Sequence, residues 1–211
     1  MERKPYFIAG IDTNIGKTTV SAILCKATGA DYWKPVQSGE LDNSDTLKVK
    51  RLVGKEHTGR FHPESFALKH PLSPHAAAEL EGVILNKADI HIPPTENTLI
   101  IEGAGGLMVP LNHWETYLDW VEEHQLPIIL VSKNYLGSIN HTLLSIQAIK
   151  QRHLNLLGVI INGSANTQSE AAIEKIGQTP ILFHTEWTQN PDNQYIGEQS
   201  EKLSHLIKQL P

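Results

Sequence analysis

The segment Gly10-Ile11-Asp12-Thr13-Asn14-Ile15-Gly16-Lys17-Thr18-Thr19 joins an apolar run, Tyr6 to Ile11, to a helical stretch opening at Gly16. No other part of the chain limits the possible folds as tightly. A glycine-containing turn that leads from a strand into a helix aims backbone amides and the positive end of the helix dipole at one point, where an anion fits. Lys17 adds a full charge, and Thr18 offers a hydroxyl to a magnesium ion held by phosphates. The segment therefore reads as a phosphate-binding loop, or P-loop. Its spacing departs from the usual pattern, because Gly10 comes one residue early and Ile11 stands where the first glycine belongs.

The remainder of the chain repeats the alternation of short apolar runs with helical stretches. Thr98 to Ile101, Pro127 to Val131 and Leu157 to Ile161 are apolar on successive residues, as expected of strands covered on both faces. This pattern predicts an α/β, P-loop NTPase-like fold, with a mainly parallel sheet flanked by helices on both faces. Helices are predicted at Ile139 to Arg152 and at Glu198 to Leu210, the latter with Leu203, Leu206 and Leu210 on one side. Pro35 to Asn43 and Gly54 to Ser73, rich in Gly, Pro, Ser and His, are predicted as irregular connections. With 211 residues, 40% hydrophobic and 19% charged, one domain spanning 1–211 is expected. A net charge of -5 argues against general attraction to nucleic acid or to an anionic membrane. The opening residues are interrupted too soon by Gly10 and Asp12 for a signal peptide or a membrane span, so a cytoplasmic location is expected. Cys25 is the single cysteine, and none of the 11 histidines shows zinc-site spacing. No histidine is assigned a metal.

In open parallel sheets ligands lie beyond the carboxyl ends of the strands, so residues following strands carry the chemistry. Lys34 follows Asp31-Tyr32-Trp33 and precedes Pro35. It is either a solvated surface lysine or a charge set to neutralise a transferring phosphoryl group. Asp45, within Asn43-Ser44-Asp45-Thr46, is either a helix-start residue acting through capping and the dipole or a magnesium ligand. Glu102 ends an apolar run and precedes Gly103-Ala104-Gly105-Gly106. That is the station where P-loop proteins hold a carboxylate for the metal, and the small residues after it permit close backbone approach to a ligand. Asn86-Lys87-Ala88-Asp89 spells a guanine-recognition tetrapeptide but precedes Glu102 instead of following it, so it reads as an exposed turn or helix start. Asn162, directly after Leu157 to Ile161, is the better base-contact candidate.

Taken in order, the chain resembles the dethiobiotin synthetase family. The resemblance rests on the P-loop Gly10 to Thr18 with its extra residue, Trp33-Lys34-Pro35-Val36-Gln37-Ser38-Gly39, Asn43-Ser44-Asp45, Ser73-Pro74-His75, Glu102-Gly103-Ala104-Gly105-Gly106 and Leu136-Gly137-Ser138-Ile139-Asn140-His141. It implies an ATP- and magnesium-dependent ligase that joins 7,8-diaminopelargonate and CO2 (or bicarbonate) into dethiobiotin, with ADP and phosphate as co-products. By the same resemblance Lys34 and Lys17 are catalytic. ATP falls to Asn14, Ile15, Gly16, Lys17, Thr18, Thr19, Asp45, Glu102, Gly103, Ala104, Gly105, Asn162, Gly163, Glu186 and Trp187, and magnesium to Thr18, Asp45 and Glu102. The substrate falls to Thr13 and Ser38 and, across the two-fold of a homodimer, to Gly137, Ser138 and Asn140. Asn14 replaces a frequent glutamate, while Gly163 and Glu186 replace residues that often complete the nucleotide pocket, so base recognition is expected to rest on few hydrogen bonds. The alternative is a regulatory or partitioning P-loop ATPase of the same fold. Such proteins usually carry a second lysine near the start of the loop, where this chain has Gly10-Ile11-Asp12.

Overall fold

A computed structural model describes residues 4–207. The elements run β1 (Pro5–Gly10), α1 (Lys17–Thr28), β2 (Asp31–Trp33), β3 (Val36–Ser38), α2 (Asp45–Val53), β4 (Phe61–His62), β5 (Phe66–Leu68) and α3 (Pro74–Leu80). They continue with β6 (Leu99–Glu102), α4 (Tyr117–Glu123), β7 (Ile128–Ser132), α5 (Ser138–Gln151), β8 (Leu156–Asn162), α6 (Thr167–Gly177), β9 (Ile181–Thr185) and α7 (Asn193–Ile207). Seven strands form one sheet in the order β4-β2-β6-β1-β7-β8-β9, and each neighbouring pair is parallel. The first strand sits inside the sheet between β6 and β7. Its carboxyl end, where the P-loop departs, is the crevice at which strand order reverses.

Alternation along the strands divides the core in two. Phe7, Ala9, Trp33, Ile101, Ile128 and Leu130 point toward α3, α4, α5 and α6. Tyr6, Ile8, Tyr32, Ile100, Ile129 and Val131 point toward α1, α2 and α7. Both faces are thus covered by helices, and the strands read as unbroken apolar runs for that reason. Each fully buried Leu, Ile or Phe contributes about 1.5–3 kcal/mol of transfer free energy. Local signals set the helix ends. Gly29, with φ 70°, closes α1 by donating its amide to the Cys25 carbonyl. The Thr116 and Asp119 capping box opens α4. Cys25 is fully buried in the core.

The structure corrects two sequence expectations. The connections Pro35 to Asn43 and Gly54 to Ser73 contain β3, β4 and β5; β3 pairs with β5 in a small parallel sheet and β4 extends the large one beside β2. Strands of two or three residues are too short to show alternation, and only their partners define them. The last helix opens at Asn193 rather than Glu198. Leu203 is buried in it, whereas Leu206 and Leu210 lie outside the described side chains. Among the described residues no helix is long and apolar enough to cross a membrane.

Candidate active site

The P-loop wraps over the amino end of α1. Gly16 adopts φ 97°, and a Cβ there would fall 1.9 Å from the Asn162 amide nitrogen, so a side chain at this point collides with the end of β8. Asn14, with φ 58°, also takes the left-handed conformation, which asparagine adopts more readily than most residues. Lys17 curls back over Gly10 and donates to the Asp12 carbonyl at 2.8 Å. A Cβ at Gly10 would lie 2.8 Å from its ammonium. The early glycine therefore has a steric reason that the usual P-loop spacing does not contain.

Three loops bring charges onto this turn. Lys34, at the end of β2, is 4% exposed, which removes the solvated-lysine alternative. Its ammonium donates to Asp45 Oδ2 at 2.7 Å, to Glu102 Oε1 at 3.2 Å and to the Gly103 carbonyl at 3.2 Å. Thr18 donates its hydroxyl to the same Glu102 Oε1 at 2.9 Å. Ser44 caps α2 by accepting from the Leu47 amide, so Asp45 is not the cap; its carboxylate turns to Lys34 and to Lys48. Gln37 orders that turn by accepting from the Asp45 amide and donating to the Gly39 carbonyl. Burial works against the Lys34 charge, yet Glu102 and Asp45 outweigh it and raise its pKa. Asp45 behaves as the complementary partner, lowered by Lys34 against its own desolvation.

Lys17 behaves differently. Burial, followed by repulsion from Lys34, lowers its pKa to about 8 in spite of Glu102, Asp45 and Asp12. An unfolded lysine keeps its proton to about 10.4. Between these values the unfolded chain binds more protons, so this group makes stability rise with pH. Any phosphate held by Lys17 would follow the opposite trend, because the proton is lost above about pH 8. The affinity for ADP, measured by calorimetry between about pH 7.5 and 9.5, should fall toward tenfold per unit at the upper end. A flat profile would remove the Lys17 charge from phosphate binding.

A cleft of about 1010 Å³ opens over these groups, walled by Thr13, Asn14, Lys17, Thr18, Lys34 and Ser38 among others. Asp45, Glu102, Ala104 and Gly105 also face it. The Ser38 hydroxyl is buried without a hydrogen-bond partner among the described residues. A smaller, open cavity of about 440 Å³ adjoins the cleft at Thr18 and Thr19 and is bordered by Arg51, Pro191, Asp192 and Asn193. Sequence reasoning missed this wall, along with Lys48, which borders both cavities. It also missed Tyr32, whose phenol donates to Glu102 Oε2 at 2.9 Å.

Asn162 reaches the P-loop itself. Its amide donates to the Ile15 carbonyl at 2.9 Å and accepts from the Thr185 hydroxyl at 2.7 Å. Gly163 lies beside Trp187, which with Glu186 remains exposed. Gly137, Ser138 and Asn140, at the start of α5, do not line the cleft of their own chain. Leu136 and Asn140 there face solvent. Asn86–Asp89 contains a short 3-10 turn, Lys87–Asp89, in which Asn86 bonds Asp89, and it does not border the cleft.

Thr18 meets Glu102 directly and Asp45 joins them through the Lys34 ammonium, so one hydroxyl and two carboxylates lie around a single cation. An all-oxygen set with few carboxylates suits magnesium, which retains several waters.

A family model described as an AAA domain matches residues 4–194. Over 207 residues the chain is 49% identical to the ATP-dependent dethiobiotin synthetase of Christiangramia forsetii, a match that covers 98% of this chain and 99% of that protein. Its identity to the protein of the same name from Cytophaga hutchinsonii is 48% over 182 residues, covering 86% and 87% respectively. Among solved structures, the cell division ATPase MinD of Pyrococcus furiosus aligns over the whole of both chains with a TM-score of 0.63 at 14% identity, a likeness of fold.

Proposed function

This chain belongs to the dethiobiotin synthetase family, and from that membership we propose that, as one α/β domain, it closes a cyclic urea on 7,8-diaminopelargonate with CO2 and ATP. The observation that carries the reading is the buried Lys34 between Glu102 and Asp45, facing one cleft with the P-loop and with the Ser38 hydroxyl, which has no hydrogen-bond partner among the described residues.

One amine adds to CO2 and loses a proton to give a carbamate. The carbamate oxygen attacks the γ-phosphorus of ATP and ADP leaves. The second amine then attacks the carbonyl carbon, and phosphate departs as the ring closes. A carbamate is a poor electrophile until its oxygen becomes a phosphate leaving group, and making that mixed anhydride gathers negative charge at one place. Lys17, Lys34 and the P-loop amides of Asn14 to Thr19 would offset it. Thr18, Asp45 and Glu102 would hold magnesium, which when bound screens the phosphate charge during transfer. Gly103, Ala104 and Gly105 let the backbone approach the phosphates. Asn162, with Gly163, Glu186 and Trp187, would meet the base. Thr13 and Ser38 would meet the diamine, whose second nucleophile is intramolecular once bound.

The test is incubation with ATP, magnesium, bicarbonate and the diamine. Dethiobiotin should appear by mass, and phosphate release should require diamine and bicarbonate together. Equal phosphate release with both omitted would support the partitioning ATPase, whose fold this chain shares.

Gly137, Ser138 and Asn140 are assigned to the substrate carboxylate of a partner copy. The amino end of α5 suits an anion, and its own chain's cleft does not use it. Sedimentation should accordingly give a dimer. Full activity from a monomer would refute the shared site.

A further inference from the structure

The geometry points to Tyr32 as a positioning residue that holds the Glu102 carboxylate in the orientation presenting Oε1 to Thr18 and Lys34. This inference rests on the reading of Glu102 as part of the metal and phosphate site. Glu102 is 1% exposed, so each of its oxygens needs a partner inside the protein. The two are used differently. Oε1 accepts from Thr18 and Lys34 at the floor of the cleft, whereas Oε2 accepts, among the described residues, only the Tyr32 hydroxyl, at 2.9 Å. Tyr32 is fully buried and pairs with Ile100 across the β2–β6 ladder. Side chains of paired residues share a sheet face, as do those two apart along a strand. Tyr32, Ile100 and Glu102 therefore share the α1 face, and the register itself brings the phenol under the carboxylate.

Without that proton donor, Oε2 would be a buried unpaired charge, and rotation of Glu102 to relieve it would turn Oε1 away from Thr18. A competing account is that the phenol, buried for packing against Phe61, takes the nearest acceptor and does nothing for the site. The two differ in what loss of the hydroxyl does to metal binding. Groups that orient a metal ligand typically change metal affinity by about 10–100-fold when removed.

Tyr32→Phe retains the ring. Binding of Mn2+ in the presence of ADP, read by electron paramagnetic resonance, should weaken at least about tenfold in this variant, while the melting temperature falls modestly. In a Glu102→Gln background the same change should leave the melting temperature nearly unaltered, because the charge that needed the phenol is gone. Unchanged Mn2+ affinity in Tyr32→Phe, with or without a loss of melting temperature, would overturn the proposal. If Tyr32→Phe did not fold, the Tyr32→Phe/Glu102→Gln double variant should fold; failure of both would make the role one of packing and overturn it equally. The assay contains no diamine. Failure of the wild-type protein to form dethiobiotin would therefore sink the proposed reaction and leave this result separate.

Discussion

Lys34→Gln should lower kcat by roughly 10²–10³-fold, the scale on which enzymes lose activity when one preorganised donor to a developing charge is removed. Among the described residues the ammonium alone is seen to touch both Asp45 and Glu102, and glutamine keeps some hydrogen bonding while removing the charge. A cost in stability should accompany the kinetic loss. Removing one partner of a buried ion pair strands the other; the scale for that is about 3 kcal/mol, here discounted because Asp45 is partly exposed. The pH dependence separates the two effects. Lys34 lowers the Asp45 pKa, so its contribution is present above the unfolded aspartate value near about 3.9 and fades as pH falls through the lower folded value. The gap in stability between wild type and variant, followed by denaturant titration, should therefore narrow toward acid. An undiminished kcat would remove Lys34 from the mechanism, whatever the stability data showed.

Gly16→Ala should weaken ADP binding on the order of 100-fold, the cost that an ångström-scale misplacement of a reacting site can carry. Two causes act together. The backbone at φ 97° is strained for alanine, and the new methyl would lie 1.9 Å from the Asn162 amide. Asn162 holds the Ile15 carbonyl, so pushing it aside also releases the turn that shapes the loop. Fluorescent ADP titration of Gly16→Ala and of Gly16→Ala/Asn162→Ala divides the causes. Measured against Asn162→Ala alone, which already lacks the brace on Ile15, the double variant has no amide to collide with, and the backbone strain of about 1–2 kcal/mol is the expected remainder. Wild-type affinity in Gly16→Ala would mean that the loop does not need the conformation described.

Several site residues are legible in the sequence. Thr18 and Glu102 stand out because each follows or opens an element at the carboxyl rim, whereas position alone left Lys34 and Asp45 open between a surface or capping role and a role in the site, and the family resemblance singled them out. Tyr32 does not stand out, although it lies two residues before Lys34. Within Asp31-Tyr32-Trp33 an aromatic residue looks like core, and its ring is core; only its hydroxyl belongs to the site. Lys48 lies in a polar stretch of α2 and shows no motif, so its place on both cavities comes from the packing of α2 against α1. Asn162 reads in the sequence as a base contact, and the structure adds a brace on the P-loop from a residue 147 positions away along the chain.

What the sequence determined by itself was the kind of object: successive apolar runs and the glycine-marked turn specify a parallel P-loop sheet, and the ordered rim residues mark the edge where its candidate site lies. These are local properties, set by backbone conformation and by the faces that neighbouring residues present. What the tertiary structure alone decided was which oxygen of Glu102 meets which donor, why Gly10 and Gly16 must lack side chains, and where short strands such as β3 and β5 find each other. Those outcomes depend on ångström-scale distances between segments far apart along the chain. No spacing in the sequence encodes such distances; they exist only once both halves of the sheet have packed against α1.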